Sequence, residues 1–163
     1  MKRSRYLMPF KRRREKKTDY KKRLALLKSG STRLVIRKSL SNITVQFVSY
    51  VPEGDKTLVC AFSTELKKFG WEKNGNVPAA YLTGLLAGKK AKEKKIESAV
   101  LDTGLQSSTK GSRIYAALKG VLDSGVSVPH SEEILPSEDR IKGQHISDDT
   151  VKKFEEAKKK IVG

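Results

Sequence analysis

Asp102-Thr103-Gly104 is the tripeptide that carries the carboxylate of an aspartic protease. That chemistry needs two carboxylates sharing one proton. The sequence holds a single copy, so only a second chain could supply the other acid. A strand-end Asp followed by a turn is therefore the expected role of Asp102. A two-metal nuclease would need several acids converging on a sheet end. The strand-forming stretches offer Asp102 alone, and the other acids fall in turns or in the tail. His130 and His145 sit in a polar segment with no metal-ligand spacing. Cys60 is the lone cysteine. It excludes an internal disulfide and a Cys-based zinc site, fits a reducing compartment, and reads as a buried, inert mid-strand residue. The stretch from Gly104 to Gly111 continues into Ser112-Arg113 rather than Gly-Lys-Ser/Thr, so it is no phosphate loop. The helix start at Gly111-Ser112 could still offer amides to a phosphate. No catalytic residue, metal or cofactor is expected.

The chemistry the residues do support is electrostatic. The chain has 163 residues, 35 Lys plus Arg against 18 Asp plus Glu, and a net charge of +17. An excess of that size points to a polyanionic partner. Residues 1–30 alone hold 13 Lys/Arg against Glu15 and Asp19, a net of +11, and the other 133 residues carry +6. The run begins Lys2-Arg3-Ser4-Arg5-Tyr6. It continues through Lys11-Arg12-Arg13-Arg14 and then Lys16-Lys17-Thr18-Asp19-Tyr20-Lys21-Lys22-Arg23. Arg offers a planar fork to phosphate and stacks on bases. Tyr6, Phe10 and Tyr20 interleave as stacking platforms. Too few apolar groups are present to offset the arm's ordering entropy alone. Between residues 126 and 149 the sign reverses, with six acids against Arg140 and Lys142. The polyanion should therefore meet one side of the protein. No apolar run approaches the length of a membrane span, and the basic N-terminus lacks the apolar stretch of a signal peptide.

A scaffold must present that charge. A helix within 15–29 would turn Leu24 and Leu27 toward the domain. Arg33–Arg37 and Ile43–Val51 read as two strands of a hairpin around Ser39-Leu40-Ser41-Asn42. Pro52 to Asp55 is a turn, and Thr57–Phe62 a third strand. Ser63–Gly70 reads as a short helix or turn, and Trp71–Val77 as a loop. Asn76 and Pro78 start a helix running to about residue 95, with Tyr81, Leu82, Leu85 and Leu86 on its apolar face. Gly84 and Gly88 share a side open to close approach. Lys89, Lys90, Lys92, Lys94 and Lys95 form a second cationic cluster at its end. A strand at Ser98–Asp102 then implies a parallel crossover. Ile114, Ala117, Leu118, Val121 and Leu122 make the core stripe of the next helix, which Gly125 ends. Residues 126–146 read as loop. Ser147 caps a last helix, with Val151, Phe154 and Ile161 on one side. The class is α/β, a mixed β-sheet with packed helices, plus a basic N-terminal arm and a C-terminal helix. The division is an arm at 1–30, a core at 31–126, and a C-terminal extension at 127–163.

Several blocks together resemble the family of large-subunit ribosomal protein 18, which binds 5S ribosomal RNA. They are Arg12-Arg13-Arg14-Glu15, Thr18-Asp19-Tyr20, the run from Arg23 to Gly30, and Pro78 to Gly88. Ala99 to Leu105, Gly111-Ser112-Arg113-Ile114 and Pro129-His130-Ser131-Glu132-Glu133 follow in order. The resemblance spans roughly residues 5–146 and leans to the archaeal and eukaryotic branch; the length and the Lys-rich tail fit an archaeal member. It implies a ribonuclease-H-like sheet without the nuclease site, and a place on the cytoplasmic ribosome, in the large subunit. There the family anchors 5S rRNA beside 23S rRNA and neighbouring proteins in the central protuberance. Carried over by position, RNA contacts fall on Lys2, Arg3, Arg5, Tyr6, Lys11 and Arg12. They continue through Arg13, Arg14, Lys17, Tyr20 and Arg23. Arg33, Arg37, Lys38, Ser41 and Asn42 extend them along the hairpin edge, with Lys89 and Lys90 beyond. The alternative from charge alone is a general RNA-annealing protein.

Overall fold

A computed structural model describes residues 7–163. Four strands form one mixed sheet: β1 (Arg33–Lys38), β2 (Ile43–Val51), β3 (Gly54–Phe62) and β4 (Val100–Asp102). Their spatial order is β3-β2-β1-β4. β1–β2 and β2–β3 are antiparallel, and β1–β4 is parallel with Leu34 opposite Leu101. The crossover expected between the third and fourth strands therefore exists, and it lands beyond β1. Strand alternation decides the faces. Leu34, Ile36, Val45, Phe47, Val59 and Ala61 are buried toward the helices. Arg33, Val35, Arg37, Gln46 and Leu101 turn to the opposite face, where they line a groove described below.

Helix α3 (Val77–Glu93) is the central element of the helical layer. Asn76 accepts from the Ala79 amide at 2.9 Å, and Pro78 occupies the first turn, as their types predict. Every residue from Pro78 to Gly88 is buried, so α3 has no solvent face over that length. Helix α4 (Arg113–Asp123) crosses it at glycines from both sides. A Cβ on Gly84 would overlap the Ala117 carbonyl, and one on Gly120 the Tyr81 carbonyl. The backbones meet where side chains would keep them apart.

Residues 126–146 are more ordered than loop. They contain a 3₁₀ turn at Glu132–Ile134 and helix α5 (Glu138–Lys142), which ends at Gly143. Five residues carry too short a period to be read in advance. Helix α6 (Asp148–Val162) starts on Ser147, whose hydroxyl accepts from the Thr150 amide. Its buried face is Thr150, Phe154, Ala157 and Ile161; Phe154 and Ile161 are as expected, while Thr150 takes the place expected of Val151. Phe154 packs between Trp71 and Tyr81, with ring centroids 6.4 and 5.5 Å away. Full burial of such a ring contributes roughly 2–3 kcal/mol. Residues 127–163 therefore add to the same core as the sheet.

The edge strand β3 has two of its carbonyls occupied from α3. Lys90 donates to the Cys60 carbonyl at 3.1 Å and to Glu65 at 2.6 Å, and Lys94 donates to the Leu58 carbonyl. Cys60 itself is half-buried rather than fully buried.

Candidate nucleic-acid interface

The arm contains two helices, α1 (Lys11–Arg14) and α2 (Tyr20–Lys28). Neither buries a residue. The bend between them is fixed by polar contacts. Arg12 Nε donates to Thr18 Oγ1 at 2.9 Å, Lys17 pairs with Glu15 at 2.9 Å, and Asp19 caps α2 by accepting from the Lys21 and Lys22 amides. Phe10 and Tyr20 lie ring to ring at 5.5 Å. The helix expected over 15–29 is thus shorter, and its apolar face differs. Leu24 is 57% exposed, while Leu26 and Leu27 are half-buried. Leu24 faces solvent because α2 reaches the sheet through charged side chains rather than through an apolar stripe.

Those charged side chains form an alternating row from the arm into the sheet. Arg23 Nη2 of α2 donates to both Asp55 oxygens at 2.9 and 2.8 Å. Asp55 Oδ2 also lies 2.7 Å from Arg33 Nη2. Arg33 is 3% exposed and donates from Nη1 to Asp102 Oδ2 at 3.1 Å. Arg37 donates to Asp102 Oδ1 at 2.9 Å, and the Gly104 amide donates to the same oxygen at 2.9 Å. Gly104 has φ +62°, and its missing Cβ leaves room for the Arg37 guanidinium. Burial pushes both acids up, but their arginines outweigh it. The carboxyl of Asp55 is held below its ordinary range by Arg33 and Arg23. That of Asp102 is held low by Arg37, the Gly104 amide and Arg33. With its oxygens directed at guanidiniums, Asp102 is an ion-pair node at a strand end. No group of three or more potential metal-binding side chains occurs among the described residues.

The predicted contact residues divide into distinct settings. Lys2, Arg3, Arg5 and Tyr6 lie outside the described residues. Lys11, Arg12, Arg13, Arg14, Lys17 and Tyr20 are exposed. Arg13 and Tyr20 join Lys16, Lys21 and Leu105 around a cavity of about 480 Å³. Arg23, Arg33 and Arg37 instead hold the row of ion pairs. Lys38, Ser41 and Asn42 sit at the β1–β2 turn, where Asn42 Oδ1 accepts from Ser63 at 3.4 Å. Lys89 donates to the Ile161 carbonyl at 2.8 Å, tying α3 to the end of α6, and Lys90 holds Glu65. These two lysines have structural partners.

Between α2 and the open face of the sheet runs a groove of about 650 Å³. Its walls include Leu26 and Ala25 from α2, and its floor includes Val35, Gln46 and Leu101. Asp55 and Gln46 were not singled out in the sequence. The partner of Asp55 on α2 is 32 residues away, and no local pattern announces such a pairing.

Residues 4–98 and 89–131 match the family described as ribosomal large subunit proteins 60S L5 and 50S L18. A protein named large ribosomal subunit protein uL18, from the archaeon Korarchaeum cryptofilum, is 59% identical over 144 residues, 88% of this chain and 74% of that protein.

Proposed function

We propose that this chain, which belongs to the family of ribosomal large-subunit proteins 60S L5 and 50S L18, binds 5S rRNA and anchors it to 23S rRNA in the central protuberance. Membership itself makes it an RNA-binding structural constituent of the large ribosomal subunit, acting in translation, and not an enzyme. Its partners are ribosomal RNA and ribosomal proteins. The finer assignment rests on one observation. From Phe10 to Lys28 the chain presents cations and the exposed rings of Phe10 and Tyr20 along two helices that bury nothing of their own. Such an arm suits a long, curved polyanion that supplies the missing contact area.

In this reading the core is the handle and the arm, residues 1–30, is the contact. Lys11, Arg12, Arg13, Arg14 and Lys17 neutralise phosphates, which sets position rather than sequence. A-form helices hide their base edges in a deep, narrow groove. Selectivity then comes from RNA shape and from stacking on Tyr6 or Tyr20. The hairpin turn, through Lys38, Ser41 and Asn42, supplies a second contact.

The test is binding to 5S rRNA against an unrelated structured RNA of equal length, with magnesium, at about 150 mM salt. Strong preference for 5S rRNA is expected. Equal binding would mean that charge alone drives association, as in a general annealing protein.

A further inference from the structure

The groove between α2 and the open sheet face has three features that solvation alone leaves unexplained. The first is Arg33. It lies 97% out of solvent, yet its Nε has no hydrogen-bond partner, and Nη2 meets Asp55 without hydrogen-bond alignment. A buried, unpaired donor is costly, so a group that accepts from it is favoured there. The second is Gln46, which stands on the groove floor. Its hydrogen-bond partner among the described residues is the Cys60 thiol at 3.5 Å, a weak acceptor. The third is the split lining. Val35, Val48, Leu101, Ala25 and Leu26 supply apolar surface, while six cations, Arg12, Lys17 and Lys22 among them, outnumber the acids Asp19, Asp55 and Asp102. Apolar walls, an under-used amide and a cationic rim match the parts of a nucleotide. They correspond to a flat base, its hydrogen-bonding edge and its phosphate. The volume of about 650 Å³ lies within the roughly 300–1,000 Å³ of ordinary small-ligand sites.

We propose that this groove seats one unstacked RNA nucleotide, with the base between α2 and the sheet, its edge on Gln46 and its phosphate among Arg12, Lys17 and Lys22. The inference rests on the RNA-binding reading and adds a defined pocket to it. The arm then does more than neutralise charge, because α2 closes one side of a base-sized slot. A partner lacking an unpaired nucleotide at the right place satisfies the arm but leaves the slot empty.

The full chain, isotopically labelled, is titrated with adenosine monophosphate, adenosine and inorganic phosphate, and amide resonances are followed. Adenosine monophosphate is expected to move the Val35, Gln46 and Leu101 signals. Inorganic phosphate should move only the rim. A floor response to inorganic phosphate equal to that of the nucleotide, or no floor response to the nucleotide, would overturn the proposal. Leu26→Trp fills the groove from a half-buried arm position, away from the core. It should abolish the nucleotide response and weaken 5S rRNA binding about tenfold, the size of one lost well-made contact. Gln46→Leu, which retains the floor without the amide, should weaken the nucleotide response more than the phosphate response. Wild-type RNA affinity in both variants would refute the slot. The broader reading fails separately, if the unaltered chain shows no preference for 5S rRNA whatever the nucleotide does.

Discussion

In the strands and long helices between Leu34 and Val121, side chains reach full burial, whereas from Leu7 to Lys28 none is buried. The core is ordered by apolar area and close backbone approach. The arm is ordered by the Asp19 cap, a Phe10–Tyr20 pair and the Arg23 contact with Asp55. Apolar order is insensitive to salt, while exposed ionic order weakens with it. One chain thus joins a part held mainly by apolar contact to a part that answers to a polyanion.

The sharpest way to break that contrast is to remove the arm. A chain lacking residues 1–28 should keep a cooperative melting transition and lose RNA affinity by roughly 10³-fold or more at low salt, by analogy with six or more released counterions. Binding assays on a variant confirmed folded by circular dichroism check both halves; retained affinity would place the interface on the core. The complementary change acts inside the core. Gly84→Val drives a branched side chain into the Ala117 carbonyl and should cost at least about 3 kcal/mol in denaturant unfolding. RNA affinity of the fraction still folded should be unaltered.

Asp102→Asn probes the join between the two parts. It removes the carboxylate beside a buried Arg33 and should destabilise the fold by about 2–3 kcal/mol without weakening RNA binding. The pH dependence has a definite sign. Asp102 and Asp55 have carboxyls lowered in the fold. Their stabilisation is complete above the unfolded-chain value, near pH ~4, and is lost as pH falls through the lower folded values. Acid titration of unfolding should therefore show a steeper fall below about pH 4 in the native chain than in Asp102→Asn. The smallest effect belongs to Arg23→Gln. It removes the half-exposed Arg23–Asp55 contact, leaves Asp55 beside Arg33, and costs about 1 kcal/mol or less. Faster amide exchange should appear in Tyr20–Lys28 but not in α3; unchanged exchange in α2 would show that this contact does not hold the arm.

What the sequence disclosed follows the same division. The strand pair around Ser39–Asn42, the Asn76–Pro78 helix start, the Gly84 approach and the Ser147 cap were all legible, because each is written in adjacent residues. Leu24 was assigned inward from helical spacing, which assumes that a helix docks by its apolar stripe. The single-position shift from Val151 to Thr150 lies within the width of such a stripe. Arg33 counted as an available cation, since a charge count cannot tell a guanidinium offered to RNA from one enclosed by Asp102, 69 residues away. Lys89 and Lys90 were grouped with the surface charge for the same reason, although their carbonyl and carboxylate partners come from α6 and from β3 and the turn after it.

The lysines that reach from α3 to the rim of the sheet bear on the time before assembly. A chain with this excess of charge has no counter-surface until its RNA is bound. An open strand border is where such a chain would stack onto its own copies and grow into insoluble ribbons. Lys90 and Lys94 occupy carbonyls on that border, and Lys94 adds a positive charge that repels a second copy, whereas the charge of Lys90 is met by Glu65. The same helix that packs the core thus also covers part of the sheet's border.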